Sequence, residues 1–441
     1  MKTNRTAGSF LRYFTLVVSI LLITVIGIDF AYQHKPQSIP KPVQKAQANI
    51  VVIMTDDQNI DSLPVMRKLM TFPEGSWVNF TNAFANNSLC CPARATVLTG
   101  QYSHVTGVTD NENGENLNDT NTLPVWLDHA GYQTGLIGKY LNNYPWDKGT
   151  GYVPPGWDLF QVPTKVGVDK LTELAVDFIN NSNSPFFLYL AYHAPHNPAR
   201  TLRRYANADV YLPPDPPNFN EADISDKPQW VRDLEPLSQS TIDAWHAERL
   251  ASQRALLGVD DGLQRIVEAL KAKGQLDNTM IIFMSDQGFS WGSHRRIGKH
   301  CAYEECSKFP LLIRYPGLTG NRDESRLVSN VDLAATIAEY AGITPELPQN
   351  GKSFIPFITN TATDWKEEVL LERLPTGTGW FVFYGIRVPG WKYVEYLNGD
   401  KELYDLNADP YELQNLANKP EYQAKQTELA QRLQTLRDGQ P

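Results

Sequence analysis

Between Asn49 and about Tyr340 the chain alternates short, uninterrupted apolar runs with longer stretches of helical spacing. That alternation predicts a mostly parallel sheet covered by helices. Four runs, Ile50–Met54, Thr134–Ile137, Phe186–Tyr192 and Met280–Met284, are too continuously apolar for half-solvated edges and predict buried strands. Helical spacing predicts a segment capped by Thr122 that runs through Ala130 to Gly131. It also predicts a long amphipathic helix over Asp243–Lys273, broken near Gly258 or Gly262, and a segment from Val331 to Ala341 ending at Gly342.

Two regions break the alternation. Residues 203–242 hold Pro213, Pro214, Pro216 and Pro217 among acidic and aromatic residues with no clean period, and read as an irregular insertion. A substrate-binding arm and a solvated excursion are equally weighted readings of it. After about Phe354, Phe381–Arg387, Trp391–Leu397 and Glu402–Tyr404 alternate like antiparallel strands. Turns at Pro389-Gly390 and Asn398-Gly399-Asp400 separate them, and a helix near Pro420–Arg437 closes the chain. The expected organisation is a main α/β domain over 49–353, with a large, mostly parallel sheet sandwiched by helices, and a small α+β subdomain over 354–441.

The N-terminus is a targeting segment. Lys2, Arg5 and Arg12 precede the apolar stretch Tyr13–Ile28, and Pro36, Pro40 and Pro42 follow it. Residues 1–35 therefore read as a signal peptide or signal anchor and 36–48 as a linker. Sixteen apolar residues leave cleavage and membrane anchoring both open. Either way the body is exported, to a periplasmic, extracellular or membrane-anchored position. The net charge of the 441 residues is −9, so the molecule lacks the basic field of a nucleic-acid binder. Four cysteines make neither a disulfide scaffold nor paired zinc knuckles.

The residues after each strand carry the chemistry. Ile50–Met54 leads to Asp56 and Asp57, Thr134–Ile137 to Lys139, Phe186–Tyr192 to His193, and Met280–Met284 to Asp286 and Gln287. Open α/β sheets bind ligands beyond the carboxyl ends of their strands, so these four ends describe one site. Asp56, Asp57 and Asp286 are hard oxygen donors suited to Ca²⁺ or Mg²⁺, and Gln287 can add a carbonyl oxygen.

The run Cys90-Cys91-Pro92-Ala93-Arg94, followed by Thr99-Gly100, resembles the C-x-P-x-R signature of the type I sulfatases, members of the alkaline-phosphatase-like superfamily. The likeness extends to Thr55-Asp56-Asp57, Gly138-Lys139, Tyr192-His193-Ala194-Pro195-His196, Ser285-Asp286-Gln287-Gly288, Gly298-Lys299 with Tyr303-Glu304-Glu305, and Glu402-Leu403-Tyr404-Asp405-Leu406. Gln287 stands where the family has Asn or His. Leu141 stands where many members have His, a variant similar to the glucosamine-6-sulfatase and heparan endosulfatase branch.

The resemblance implies hydrolysis of sulfate esters, on a sulfated small molecule or polysaccharide. Cys90 would be oxidised to Cα-formylglycine by a formylglycine-generating system. One hydroxyl of the hydrated aldehyde can attack sulfur and the other can then expel sulfate. A divalent cation, Ca²⁺ or Mg²⁺, held by Asp56, Asp57, Asp286, Gln287 and residue 90, would acidify that hydroxyl. Arg94 would hold the hydrate, Lys139 and Lys299 the sulfuryl oxygens, and His193 would protonate the leaving alcohol, with His196 in support. Phosphonate monoester and phosphodiester hydrolases share this scaffold, and an unmodified Cys90 would leave a non-catalytic binder of sulfated glycans. Cys301 and Cys306 form a local disulfide or remain small buried hydrophobes. Arg200, Arg203 and Arg204 are placed to attract an anionic polymer. Asn111 and Asn113 either bond sugar hydroxyls or solvate a loop, and His294, Arg295 and Arg296 either line the rim or form a basic turn.

Overall fold

A computed structural model describes residues 48–71, 77–144, 151–163, 166–183, 185–361, 364–375 and 381–439. The chain divides into Met1–Lys45 and Ala46–Pro441, and the expected signal or anchor lies outside the described residues. Among the described residues no helix is long and apolar enough to cross a membrane.

The main sheet has eight strands: β1 (Asn49–Thr55), β2 (Trp77–Phe80), β3 (Gln133–Gly138), β4 (Leu159–Gln161), β5 (Phe186–Ala191), β6 (Thr279–Ser285), β7 (Leu311–Arg314) and β8 (Arg322–Glu324). Their order is β8-β2-β7-β6-β1-β5-β3-β4. Only β7 runs antiparallel to its neighbours. The continuous apolar character of β1 follows from two covered faces. Ile50, Val52 and Met54 belong to one core and Val51 and Ile53 to the other, as the two-residue period requires. The first core takes helices α1 (Cys90–Thr99), α2 (Leu123–His129) and α5 (Asp332–Ala341), and the second takes α3 (Val168–Asn181) and α4 (Gln239–Ala272).

The expected break in the long helix is absent. Helix α4 runs 34 residues without interruption and begins inside the region expected to be irregular. Its glycines serve close packing. A Cβ on Gly258 would lie 2.7 Å from Leu202 Cδ1, and one on Gly262 would lie 2.5 Å from Tyr192 Oη. The remainder of the insertion is largely irregular, with short helical turns at Arg203–Tyr205 and Gln229–Arg232.

A second sheet of four antiparallel strands, β9 (Val369–Arg373), β10 (Phe383–Val388), β11 (Trp391–Tyr396) and β12 (Lys401–Asp405), follows. Helix α6 (Gln423–Asp438) packs Leu429 and Leu433 against Leu370, Ile386, Tyr393 and Leu403. This is the expected α+β element, with β9 added.

Candidate active site

Strands β6, β1, β5 and β3 are consecutive in the sheet, so the four expected strand ends stand side by side. Gly138 has φ +109°, and a Cβ there would sit 1.9 Å from the Ala191 carbonyl oxygen. Only glycine lets β3 turn tightly enough for the Lys139 amide to donate to that carbonyl at 2.9 Å. Asp57 adopts a left-handed φ of +64° immediately after β1. Its amide donates to Asp286 Oδ1 at 3.1 Å, which joins two neighbouring strand ends.

Cys90 opens α1 and is buried in the middle of these ends. Lys299 Nζ lies 2.9 Å from its Sγ, and the thiol donates to Asp56 Oδ1 at 3.5 Å. Lys139 Nζ donates to Asp56 Oδ2 at 2.6 Å, and Lys299 Nζ to both oxygens of Asp57 at 2.7 and 2.9 Å. Arg94 Nε and Nη2 both donate to Asp286 Oδ2, at 3.0 and 2.8 Å, and its Nη1 donates to the Lys139 carbonyl at 3.0 Å. Gln287 Nε2 donates to Asp57 Oδ1.

Burial alone would raise the Asp56 carboxyl, but Lys139 and Arg94 overcome it and hold Asp56 well below the usual range. At Asp286 burial outweighs Arg94, and the group is raised. Burial pushes the Cys90 thiol up to about 11, although Lys139 and Lys299 oppose it. An unmodified Cys90 is therefore a neutral thiol at physiological pH, a poor nucleophile.

His193 follows β5 and its Nε2 is buried without a hydrogen-bond partner. Burial lowers its pKa to about 4 despite Asp56. His196 Nε2 lies 3.6 Å from Asp57 Oδ2, and its Nδ1 pairs with the Asn197 carbonyl at 2.6 Å. A cavity of about 480 Å³ opens from Asp56, Lys139 and His193 between Asn142, Leu171 and Arg200.

The acidic set fits a hard divalent cation. Ligand atoms of Asp56, Asp286 and Cys90 lie within 4.8 Å of one another, as do those of Asp56, Asp57 and His196. Gln287 turns its Nε2 toward Asp57 and Cys90, and its buried Oε1 has no hydrogen-bond partner.

Other expectations resolve differently. Asn111 Oδ1 accepts from the Cys91 amide at 2.9 Å and caps α1, while Asn113 is engaged at both ends within its loop, Oδ1 by the Thr109 and Asp110 amides and Nδ2 by Thr109 Oγ1. Arg204 is taken up by Asp169 and Asp261. Cys301 and Cys306 are bridged. His294 is fully buried against Glu221, while Arg295 and Arg296 beside it are half-buried. Sequence reasoning missed Arg373, contributed by β9, whose Nη1 reaches the His300 carbonyl at 3.5 Å next to Lys299. Arg296 Nη2 donates to the Lys299 carbonyl itself at 2.6 Å. No local pattern links residue 373 to residue 300.

Comparisons with known proteins align with this geometry. Residues 48–343 match a family model described as Sulfatase, and residues 292–439 match one described as N-sulphoglucosamine sulphohydrolase, C-terminal. The chain is 30% identical to an N-acetylglucosamine-6-O-sulfatase of Bacteroides thetaiotaomicron, over 94% of this chain and 90% of that protein. It is 32% identical to the N-acetylglucosamine-6-sulfatase of Capra hircus over 74% of this chain, and spans 66% of that relative's length. A solved structure of a protein in complex with its substrate D-glucosamine-2-N,6-O-disulfate superposes with a TM-score of 0.75 at 26% identity. That match covers 90% of this chain and 99% of the other. The phosphonate monoester hydrolase of Agrobacterium radiobacter shares the fold, with a TM-score of 0.74 at 23% identity over 89% and 95% of the two chains.

Proposed function

The chain belongs to the sulfatase family and is a sulfuric ester hydrolase, and from that premise we propose that it removes 6-O-sulfate from glucosamine residues of sulfated glycans. The relatives' glucosamine-6-sulfatase activities support that substrate, as does Leu141 in Gly138-Lys139-Tyr140-Leu141-Asn142. The cavity beside Lys139 and His193 has the size expected of a small-ligand site.

In this reading residue 90 works as formylglycine beside one Ca²⁺ or Mg²⁺ held by Asp56, Asp57, Asp286 and Gln287. Together they would supply an oxygen nucleophile at neutral pH, chemistry that a thiol raised to about 11 cannot supply. Lys139 and Lys299 bracket residue 90 and stabilise charge on the sulfuryl oxygens. Arg94 binds Asp286 through two nitrogens and keeps that carboxylate oriented. His193 holds its unpartnered Nε2 ready for the leaving oxygen; the anionic ester draws a proton onto an imidazole that is neutral in the free enzyme.

The basic and then apolar N-terminus supports export, and the Cys301–Cys306 bridge fits an oxidising compartment. The observation that carries the proposal is the convergence of Lys299, Asp56 and Gln287 on Cys90 Sγ, at 2.9, 3.5 and 3.6 Å.

The test is the mass of the tryptic peptide Leu69–Arg94 from a host with a formylglycine-generating system. A species about 18 Da lighter than the thiol form is expected, together with release of sulfate from 6-sulfated N-acetylglucosamine. An unmodified peptide in that host would remove the nucleophile. Faster turnover of aryl phosphonates than of sulfate esters would move the chain to the phosphonate hydrolases.

A further inference from the structure

A second polar cluster lies outside the catalytic machinery, where three separate stretches of chain meet. Asn218 and Glu221 come from the insertion, His294 and Glu305 from the segment between β6 and β7, and Tyr411 and Glu412 from the stretch after β12. Asn218, His294 and Glu412 are fully buried.

Its hydrogen-bond accounting does not close. The Asn218 Nδ2 carries two hydrogens yet faces three acceptors: Glu305 Oε1 at 2.7 Å, the Tyr411 carbonyl at 3.0 Å and His294 Nε2 at 3.1 Å. Asn218 Oδ1 and Glu305 Oε2 are both buried with no partner at all. Buried acceptors without donors are rare, and several in one place mark a missing electropositive group.

The charges fail to close at the same point. Glu221 pairs with Lys227 at 3.3 Å and with His294 at 2.6 Å, Glu304 with Arg387 and Lys392 at 3.1 and 2.9 Å, and Glu412 with Lys392 at 2.8 Å. Among the described residues Glu305 makes no ion pair, although a carboxylate with a buried oxygen requires compensation.

His294 is set up as a ligand. Its Nδ1 pairs with Glu221 Oε2 at 2.6 Å and its Nε2 lies 3.1 Å from Asn218 Nδ2, so the tautomer protonated at Nδ1 turns the Nε2 lone pair into the cluster. A carboxylate behind the imidazole is the arrangement that fixes metal-binding histidines. Ligating atoms of His294, Glu305 and Glu412 lie within 4.8 Å of one another. Asn218 Nδ2 faces this point; turning the carboxamide end for end, which changes neither its shape nor its volume, presents Oδ1 there instead.

We propose that His294, Glu305, Glu412 and Asn218 form a second metal site that takes one zinc ion and fastens the C-terminal subdomain to the segment carrying Lys299. The imidazole nitrogen among four donors favours zinc over calcium, whereas the all-oxygen set at Asp56 suits calcium.

The test is metal content of the full-length chain, stripped with chelator, equilibrated with micromolar ZnCl₂ in millimolar CaCl₂, and desalted. One zinc per chain is expected, retained in Asp56→Ala and lost at least tenfold in Glu305→Gln. Co²⁺ in place of zinc should give visible absorption bands that vanish in the same variant. Asn218→Asp covers the case in which Glu305→Gln fails to fold. A carboxylate added at the site should raise the melting temperature in the presence of zinc and lower it in its absence. No stoichiometric zinc in wild type, zinc lost with Asp56→Ala, or a zinc-independent melting temperature in Asn218→Asp each overturn the proposal. None of these readouts involves sulfate ester turnover, so the site stands or falls separately from the proposed substrate.

Discussion

Lys299 Nζ lies 2.9 Å from Cys90 Sγ and 2.7 Å from Asp57 Oδ1, so one ammonium joins the nucleophile position to the acidic cluster. Burial alone would lower this lysine, but Cys90 and Asp57 raise it well above its ordinary value. It is a fixed positive charge across the working pH range. Lys299→Met should reduce kcat on a 6-sulfated glucosamine about 10²- to 10³-fold, the usual cost of removing one preorganised transition-state donor. An unchanged kcat with only a raised KM would remove Lys299 from transition-state stabilisation.

The Arg94–Asp286 pair is fully buried, and the two charges share a two-pronged contact. Truncation of one partner leaves the other uncompensated in a dry place. Arg94→Met should lower unfolding stability by about 3–5 kcal/mol, read from denaturant midpoints. Arg94→Met with Asp286→Asn should recover part of that loss, and a double variant no better than the single would show that burial of Asp286 is not the penalty.

At His193 the sign of the shift sets the pH profile. Burial lowers it to about 4, so in the free enzyme the protonated fraction falls as pH rises above that value. For a sugar sulfate, whose alkoxide leaves only with a proton, kcat/KM should decline as pH rises from 5 to 8. An aryl sulfate, whose phenolate leaves unaided, should show a flatter profile. His193→Ala should cost about 10²- to 10⁴-fold on the sugar sulfate and far less on the aryl ester. Equal losses on both substrates would assign His193 to binding.

His104 and Glu372 pair at 2.8 Å where the turn after α1 meets β9. The hydrogen bond to Glu372 raises the histidine above 6.5 even though burial opposes it. A raised histidine contributes its full stabilisation below the unfolded value of 6.5 and loses it as pH rises through the folded value. The stability difference between wild type and His104→Gln should be largest near pH 6 and shrink toward pH 9, measured by urea denaturation. A difference that grows with pH would contradict the pairing.

These relationships show which parts of the molecule a sequence exposes. The strand ends at Asp56, Lys139, His193 and Asp286 are legible because both sheet faces are covered, which makes runs such as Ile50–Met54 apolar at every position. The edge strand Arg322–Glu324 is not legible, because an edge facing water carries polar residues like any loop. Gly258 and Gly262 look like breaks in a helix but are the positions where Leu202 and Tyr192 press against it. Asn111 looks like a sugar ligand and is a helix cap supplied from 20 residues away. The contacts of Arg373 and of the His294 cluster join segments more than 70 residues apart, so no local periodicity announces them.

Gln287 combines a legible position with an illegible role. It stands at the end of β6, where a shorter amide or an imidazole would match the family pattern. Its extra methylene lets Nε2 reach Asp57 while Oε1 stays buried and unpartnered. An orphaned carbonyl oxygen beside three carboxylates is costly unless a cation takes it up. Gln287→Leu keeps the volume and removes both polar atoms. It should weaken Ca²⁺ retention about tenfold or more, since even groups that only support metal ligands cost that much. Gln287→Asn, one methylene shorter, should retain more of the affinity than Gln287→Leu, because it still offers a carbonyl oxygen. Calcium per chain after dialysis against graded chelator measures both. If Gln287→Leu holds calcium as tightly as wild type, the cation rests on the three aspartates alone and the orphaned oxygen has another partner.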